Sequence, residues 1–204
     1  VSILDYNMGN ISSVKRKVEK LGFSCELISS SNEILNLKKL ILPGVGHFKK
    51  AMSYLKDYGL GKTLNHVVLE KKTPVLGICL GMQLMCSYSE EGDIQGLGWF
   101  DAKVTKINIK DQLRFRTPHI GWNKIRFKNS TPFNNSICDE SEFYFVHEYC
   151  VKEAKQNEIM CETIYESNFV SALYRENIYG VQFHPEKSHK TGGDLIKNFL
   201  EIKC

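Results

Sequence analysis

Pro74-Val75-Leu76-Gly77-Ile78-Cys79-Leu80-Gly81-Met82-Gln83 sets a single cysteine between an apolar run and the start of a helical pattern. Val75 to Ile78 reads as a central parallel strand. Gly77 and Gly81 flank Cys79 as G-x-C-x-G, the thiol counterpart of the serine elbow of hydrolases. A residue on such a turn sits in strained backbone with neighbouring strands close by, so a Cβ at either glycine is expected to clash. The following helix aims its first amides and positive dipole end at the sulfur. That suits a nucleophile and offers donors to a developing oxyanion.

A nucleophilic cysteine needs a base, and Gly180-Val181-Gln182-Phe183-His184-Pro185-Glu186-Lys187-Ser188 supplies one. Val181 to Phe183 reads as a strand ending at His184, and Pro185 fixes the turn. Glu186, two residues on, can accept the imidazole N–H and hold the useful tautomer. The expected triad is therefore Cys79, His184 and Glu186. His184 is chosen from six histidines for its strand end and its carboxylate neighbour.

Length and composition bound the rest. A chain of 204 residues, 42% hydrophobic, can bury one substantial core, so a single domain over residues 1–204 is expected. No apolar run approaches the roughly 20 residues of a membrane span. The N-terminus opens on a strand with no basic stretch or cleavage site, so no export signal is visible and a cytoplasmic setting is expected. The seven cysteines are odd in number and lack C-x-x-C pairs, which suits reduced thiols better than a disulfide frame or zinc site. Cys25, Cys86, Cys138, Cys150, Cys161 and Cys204 lack the setting of Cys79 and read as core or surface thiols. No metal or cofactor is implied. The net charge of +4 is spread over lysine pairs that read as solvated helix faces, and no nucleic-acid motif accompanies them.

Strand and helix patterns alternate in the first half. Ser2 to Asp5 is a strand. Ile11, Val14, Val18 and Leu21 mark one helical face, ended by Gly22. Cys25 to Ile28 and Leu40 to Leu42 are short strands bracketing a helix near Ile34 to Lys38, and helices over Phe48 to Tyr58 and Leu60 to Glu70 lead to the Cys79 strand. This rhythm predicts a parallel sheet covered by helices, with ligands at the carboxyl ends of the strands. Further on, Val104 to Ile109, Lys124 to Phe127, Glu142 to His147, Ile159 to Ile164, Phe169 to Tyr174 and Ile178 to Phe183 read as strands in hairpins. Asp194 to Ile202 reads as a closing helix.

The two chemical segments together resemble the class I, triad-type glutamine amidotransferases. Leu4-Asp5-Tyr6-Asn7-Met8-Gly9-Asn10, Leu42-Pro43-Gly44-Val45-Gly46, Pro118-His119-Ile120-Gly121-Trp122-Asn123 and Tyr144-Phe145-Val146-His147 narrow the resemblance to the glutaminase subunits of imidazole glycerol phosphate synthase. The match runs in order over nearly the whole length. It implies a flavodoxin-like α/β fold, a mostly parallel central sheet flanked by helices, with additional antiparallel strands in the C-terminal half. Some positions depart from the pattern. Asn7 stands where glycine is usual, which asparagine's tolerance of positive φ allows. Ile120 replaces a methionine, and Glu148 and Cys150 replace a small hydroxyl residue and an aromatic.

The implied chemistry is hydrolysis of glutamine to glutamate and ammonia. Cys79 attacks the side-chain amide, His184 passes a proton to the departing ammonia, and water frees the thioester. One oxyanion donor is expected from Leu80 N–H. The other is expected from the glycine-rich loop at Val45 and Gly46, whose peptide plane can turn toward the site. The family's substrate contacts fall on Gly46, Leu80, Gln83, Glu91, Glu148 and Tyr149, with Glu91 facing the α-amino group. His147 is expected to be structural. Asn10, Trp122, Tyr144 and Lys187 lie in motifs that, by resemblance, face a partner, the (β/α)8-barrel cyclase of histidine biosynthesis, in a heterodimer. Two alternatives stay open: a paralogous glutaminase feeding a sugar amidotransferase that builds acetamidino groups on surface polysaccharides, and an inactive regulatory or scaffolding subunit.

Overall fold

The computed structural model describes residues 1–202. Cys204 lies outside the described residues. The strands are β1 (Ser2–Leu4), β2 (Glu26–Ile28), β3 (Leu40–Leu42), β4 (Val75–Ile78), β5 (Cys86–Ser89), β6 (Ile94–Gln95), β7 (Phe100–Lys106), β8 (His119–Lys124), β9 (Arg126–Phe127), β10 (Glu142–His147), β11 (Tyr149–Val151), β12 (Ile159–Tyr165), β13 (Ser167–Arg175) and β14 (Ile178–Val181). The α-helices are α1 (Ile11–Lys20), α2 (Ser31–Ile34), α3 (Phe48–Asp57), α4 (Leu60–Asn65), α5 (Leu80–Leu84) and α6 (His189–Glu201).

The main sheet runs β2-β1-β3-β4-β14-β13-β11-β7-β5-β6, with β12 paired to β13 and β9 to β12. The pairings from β2 to β14 are all parallel, while β14–β13, β13–β11 and β11–β7 are antiparallel. This is the mixed α/β architecture expected, a parallel half joined to antiparallel strands. A separate two-stranded antiparallel sheet is formed by β8 and β10.

Side chains alternate across a strand, so each parallel strand feeds two cores. Leu40 and Leu42 join Phe48, Leu55, Leu64 and Met82 on the face covered by α3, α4 and α5. Ile41 joins Val14, Val18, Leu195 and Phe199 on the face covered by α1 and α6. Buried runs such as Leu40 to Leu42 and Val75 to Ile78, apolar at every position, are what a strand covered on both faces requires.

Several sequence expectations shift. The helix expected near Ile34 to Lys38 lies earlier, at Ser31–Ile34, because Ser30 and Glu33 form a reciprocal capping box. The helix expected to reach Glu70 gives way at His66–Glu70 to a π-helical turn. The strand expected over Val104 to Ile109 is Phe100–Lys106, and β5, β6 and β11 escape the sequence patterns. The strand placed at Lys124 to Phe127 is instead two strands: His119–Lys124, in a segment to which the patterns assign no strand, and Arg126–Phe127. Glycine and asparagine within β8, and an apolar side chain exposed at Ile120, hid its alternation. The final helix starts five residues before Asp194. Gly192 is required there, since a Cβ would fall 1.9 Å from the Pro185 carbonyl oxygen. Those adjacent glycines masked the helical pattern. Among the described residues, no helix is long and apolar enough to cross a membrane.

Candidate active site

β4 carries the chain into the middle of the parallel half and stops at Cys79. There the backbone takes φ +54° and ψ −108°, a strained conformation for a non-glycine residue. It is held from both sides. Cys79 N–H donates to the Val181 carbonyl at 2.8 Å, and the Cys79 carbonyl accepts from Gln83 N–H at 3.1 Å. The flanking glycines are there for space. A Cβ on Gly81 would stand 1.8 Å from the Leu42 carbonyl oxygen, and one on Gly77 would stand 2.8 Å from the Gly81 carbonyl carbon. The elbow that the sequence predicts is therefore present.

Across from the elbow, the loop after β3 packs onto the start of α5. A Cβ on Gly44 would meet the Leu80 Cβ at 2.7 Å, so only glycine allows this approach. The buried Tyr6 hydroxyl pins the loop by donating to the Pro43 carbonyl at 2.6 Å. Burial, and then the nearby Cys79, push the Tyr6 phenol well above its usual range, so it stays a neutral donor. Val45 is exposed at the loop tip and Gly46 has φ +128°. Asn7 does take the positive φ expected of it, +60°.

The expected base, His184, follows β14. His184 N–H donates to the Tyr144 carbonyl at 2.8 Å, and the Ser188 hydroxyl donates to the His184 carbonyl at 2.7 Å. Pro185 then opens a 3-10 turn that carries Glu186 back under the imidazole. His184 Nδ1 and Glu186 Oε1 are 2.8 Å apart, with both side chains almost fully buried. The other nitrogen, Nε2, is buried and without a hydrogen-bond partner. Burial works against charge on this ring, but the neighbouring Cys79 sulfur and the Glu186 carboxylate outweigh it and raise its pKa to about 10. A protonated imidazole beside the sulfur is thus the favoured resting state.

The cavity at the sulfur is about 270 Å³, lined by Val45, Gly46, Cys79, Leu80, Gln83, Glu91, Pro118, Val146, His147, Glu148 and Tyr149. Every expected substrate contact lines it. A hollow of about 570 Å³ beside α3 and α4 is larger, but it is lined by no nucleophile with a base. Two of the expected contacts also have structural duties. Glu91 Oε2 accepts from Phe48 N–H at 2.7 Å, closing the start of α3. Gln83 Nε2 donates to the Tyr149 carbonyl and to Gln182 Oε1, each at 3.0 Å. Glu148 points outward to an ion pair with Lys106 at 2.9 Å, so the cavity uses its backbone.

Sequence reasoning undervalued three residues. His147, expected to be structural, also lines the cavity. Its Nδ1 lies 2.8 Å from the Tyr149 carbonyl and its Nε2 lies 3.0 Å from Nδ1 of buried His119. With Tyr149 O able only to accept, both protons of this chain are assigned: His147 donates to Tyr149, and His119 donates to His147. Burial lowers the His119 pKa to about 4, and burial, then His119, lowers that of His147 to about 3, so both rings are neutral. The third is Gln182, hidden within the strand motif. A buried parity shared with Phe143 and Phe145 could have flagged His147. Of the other cysteines, Cys150 is buried and its pKa is pushed up to about 11, and burial also raises those of Cys86 and Cys161. They are core thiols, as the sequence suggests.

The residues expected at a partner face partly converge. Trp122 lies directly across from Tyr144 in the β8–β10 pairing, with ring centroids 6.0 Å apart. Lys187 Nζ sits 5.6 Å over the Tyr144 ring, and Trp122 stacks on His189 at 4.9 Å. Asn10 stands apart from this cluster at the N-cap of α1, where its side chain accepts from Ser13 N–H. It follows Gly9, where an added Cβ would stand 3.4 Å from the Gly44 Cα.

The family of class-I glutamine amidotransferases matches residues 2–202. The chain is similar to imidazole glycerol phosphate synthase subunit HisH 2 of Methanococcus maripaludis, 45% identical over 98% of both chains. It is similar to subunit HisH of Pelagibacter ubique, 42% identical over 99% of both, and to subunit HisH 2 of Pseudomonas aeruginosa, 39% identical over 99% of both. Among solved structures, a glutamine amidotransferase superposes with TM-score 0.76 at 17% identity, covering 98% of this chain and 97% of the other. PurLQS from Thermotoga maritima superposes with TM-score 0.75 at 14% identity, covering 98% and 96%. At those identities the likeness concerns the fold alone.

Proposed function

The chain belongs to the class-I glutamine amidotransferase family, and on that premise we propose that it hydrolyses glutamine to glutamate and ammonia as the glutaminase subunit of imidazole glycerol phosphate synthase. The observation that carries the reading is the buried His184–Glu186 pair beside a cysteine held at a strained elbow. The Cys79 thiolate attacks the side-chain amide carbon of glutamine. The resulting oxyanion faces Leu80 N–H, the first amide of α5 and one with no acceptor within the helix, together with amides of Val45 and Gly46. His184 Nε2 delivers its proton to the leaving ammonia as the tetrahedral adduct collapses to a thioester. Neutral Nε2 then takes a proton from water, whose oxygen attacks the thioester, and glutamate departs as the thiolate reforms beside a charged imidazole. Glu186 keeps Nδ1 protonated throughout and aims the ring.

Gly46, Leu80, Gln83, Glu91 and the backbone of Glu148 and Tyr149 bind the substrate, with Glu91 facing its α-amino group. Residues 1–204 act as one domain in the cytoplasm. Ammonia passes to a (β/α)8-barrel cyclase in a heterodimer, which makes imidazole glycerol phosphate and an aminoimidazole carboxamide ribonucleotide. One observation favours a second acceptor. Two of the relatives are numbered 2, as members of a pair would be, and a duplicated glutaminase can serve a sugar amidotransferase with the same chemistry. Mixing the chain with each synthase and measuring glutamine-dependent product distinguishes them. Product formed with the cyclase and its ribonucleotide is expected, and product formed only with the sugar enzyme would overturn the choice of acceptor.

A further inference from the structure

The segment that leads from the end of β14 to His184 carries Gln182, which is completely buried. Val181 and Phe183 join the core beneath α1 and α6, while the Gln182 side chain turns the other way, onto Gln83 of α5. There its Nε2 lies 3.6 Å from the Cys79 sulfur, and its Oε1 accepts from Gln83 Nε2 at 3.0 Å. The direction of this amide is fixed by its neighbours. The Tyr149 carbonyl can only accept, so Gln83 turns its NH2 group that way, and the same group reaches Gln182. Gln182 meets that donor with its oxygen, which leaves its own NH2 group facing the sulfur.

We propose that Gln182 is a further catalytic residue, whose side-chain amide donates a hydrogen bond to the Cys79 thiolate and steadies it as both attacking and departing group. The proposal rests on Cys79 being the nucleophile. The sulfur also contacts the Val146 carbonyl at 3.9 Å, an acceptor that suits the thiol and opposes the thiolate. Gln182 supplies the opposite polarity at the reacting atom. In acylation the sulfur loses its negative charge to the thioester, and in deacylation it regains it. A donor there therefore favours release of thiolate from the tetrahedral adduct of water. A fully buried primary amide is costly unless its groups are paired, and an apolar side chain of the same shape would serve packing as well. Gln83 pairs the oxygen of this amide, and the sulfur is the partner of its donor end.

The test follows Cys79 alkylation by iodoacetamide in the full chain as a function of pH, read at the Cys79 peptide by mass spectrometry, alongside glutamine hydrolysis. Gln182→Met removes the donor at similar volume. Gln182→Glu keeps the shape and places an acceptor against the sulfur, and serves if the methionine variant does not fold. In either folded variant the pH of half-maximal alkylation should rise. Turnover should fall about tenfold to a hundredfold, the usual scale for one hydrogen bond to a charged group, with KM nearly unchanged. An unshifted alkylation profile with unchanged turnover would show that the amide is core filling. A raised KM with kcat intact would show that it acts on the substrate pocket through Gln83, and would equally overturn the proposal. Cys79→Ala separates the underlying reading: hydrolysis surviving that change removes the nucleophile itself, whatever Gln182 does.

Discussion

His184 carries its charge because of what surrounds it, and Glu186 is the part most easily altered. In Glu186→Gln the amide retains the shape but loses the charge that helps raise the imidazole pKa to about 10. The ring should then titrate at lower pH in an NMR experiment, and kcat should fall by two orders of magnitude or more with KM little changed, because the tautomer is disturbed and the pocket lining is not. Unchanged turnover would reduce the two-residue spacing to a structural coincidence. The Cys79 elbow and the His184–Glu186 pair were legible in the sequence because each signal is local: glycines flank the thiol, and the carboxylate lies two residues from the imidazole. Gln182 was not, since its partner Gln83 is 99 residues away and no spacing rule joins them. Glu91 was legible only as a substrate contact. Its bond to the start of α3 appears once a loop folds back.

At the scale of elements, the β8–β10 ribbon places His119 directly opposite His147, and the two buried neutral rings share one proton chain, His119 Nδ1–H to His147 and His147 Nδ1–H to Tyr149. Folded, they refuse protons down to about pH 4 and 3, whereas an unfolded imidazole accepts one near pH 6.5. The unfolded chain therefore binds more protons in that window, and stability falls as pH drops from 6.5, by about 1.4 kcal/mol per pH unit for each ring. His184 has the opposite sign: its raised pKa contributes stability that is complete below about pH 6.5 and lost as pH climbs through 10. Urea unfolding followed from pH 7 to about 5.5, where ordinary carboxylates stay largely ionised, should show the acid loss, and a flat midpoint there would contradict it. This ribbon is also where the sequence misled most. β8 has the polar, glycine-bearing look of a loop, because its inward positions are filled by a histidine and its outward ones by Ile120 and Trp122. The parallel strands were read correctly, because burial on both faces leaves an apolar run that no surface segment imitates. α6 was read late, because close passage over the Pro185 carbonyl demands a residue with poor helix propensity.

On the whole molecule, the aromatic cluster of Trp122, Tyr144, His189 and Lys187 faces solvent on the ribbon that also reaches the catalytic turn through the Tyr144 backbone. A partner bound there would press on the segment holding His184 and Ser188. Trp122→Ala should therefore weaken stimulation by the synthase about tenfold while basal hydrolysis stays within twofold, as expected for loss of one buried aromatic anchor. Equal loss of both activities would place the tryptophan's role inside the fold. The order of the sheet carries a different consequence. β4 is flanked by β3, met early along the chain, and by β14, which follows it by about a hundred residues. A polypeptide emerging from the ribosome thus presents Cys79 long before the strand that braces it or the His184–Glu186 pair that lies beside it. On the proposed chemistry, Cys79 lacks its base until β14 slots between β4 and β13, so an unfinished copy would be expected to spare glutamine.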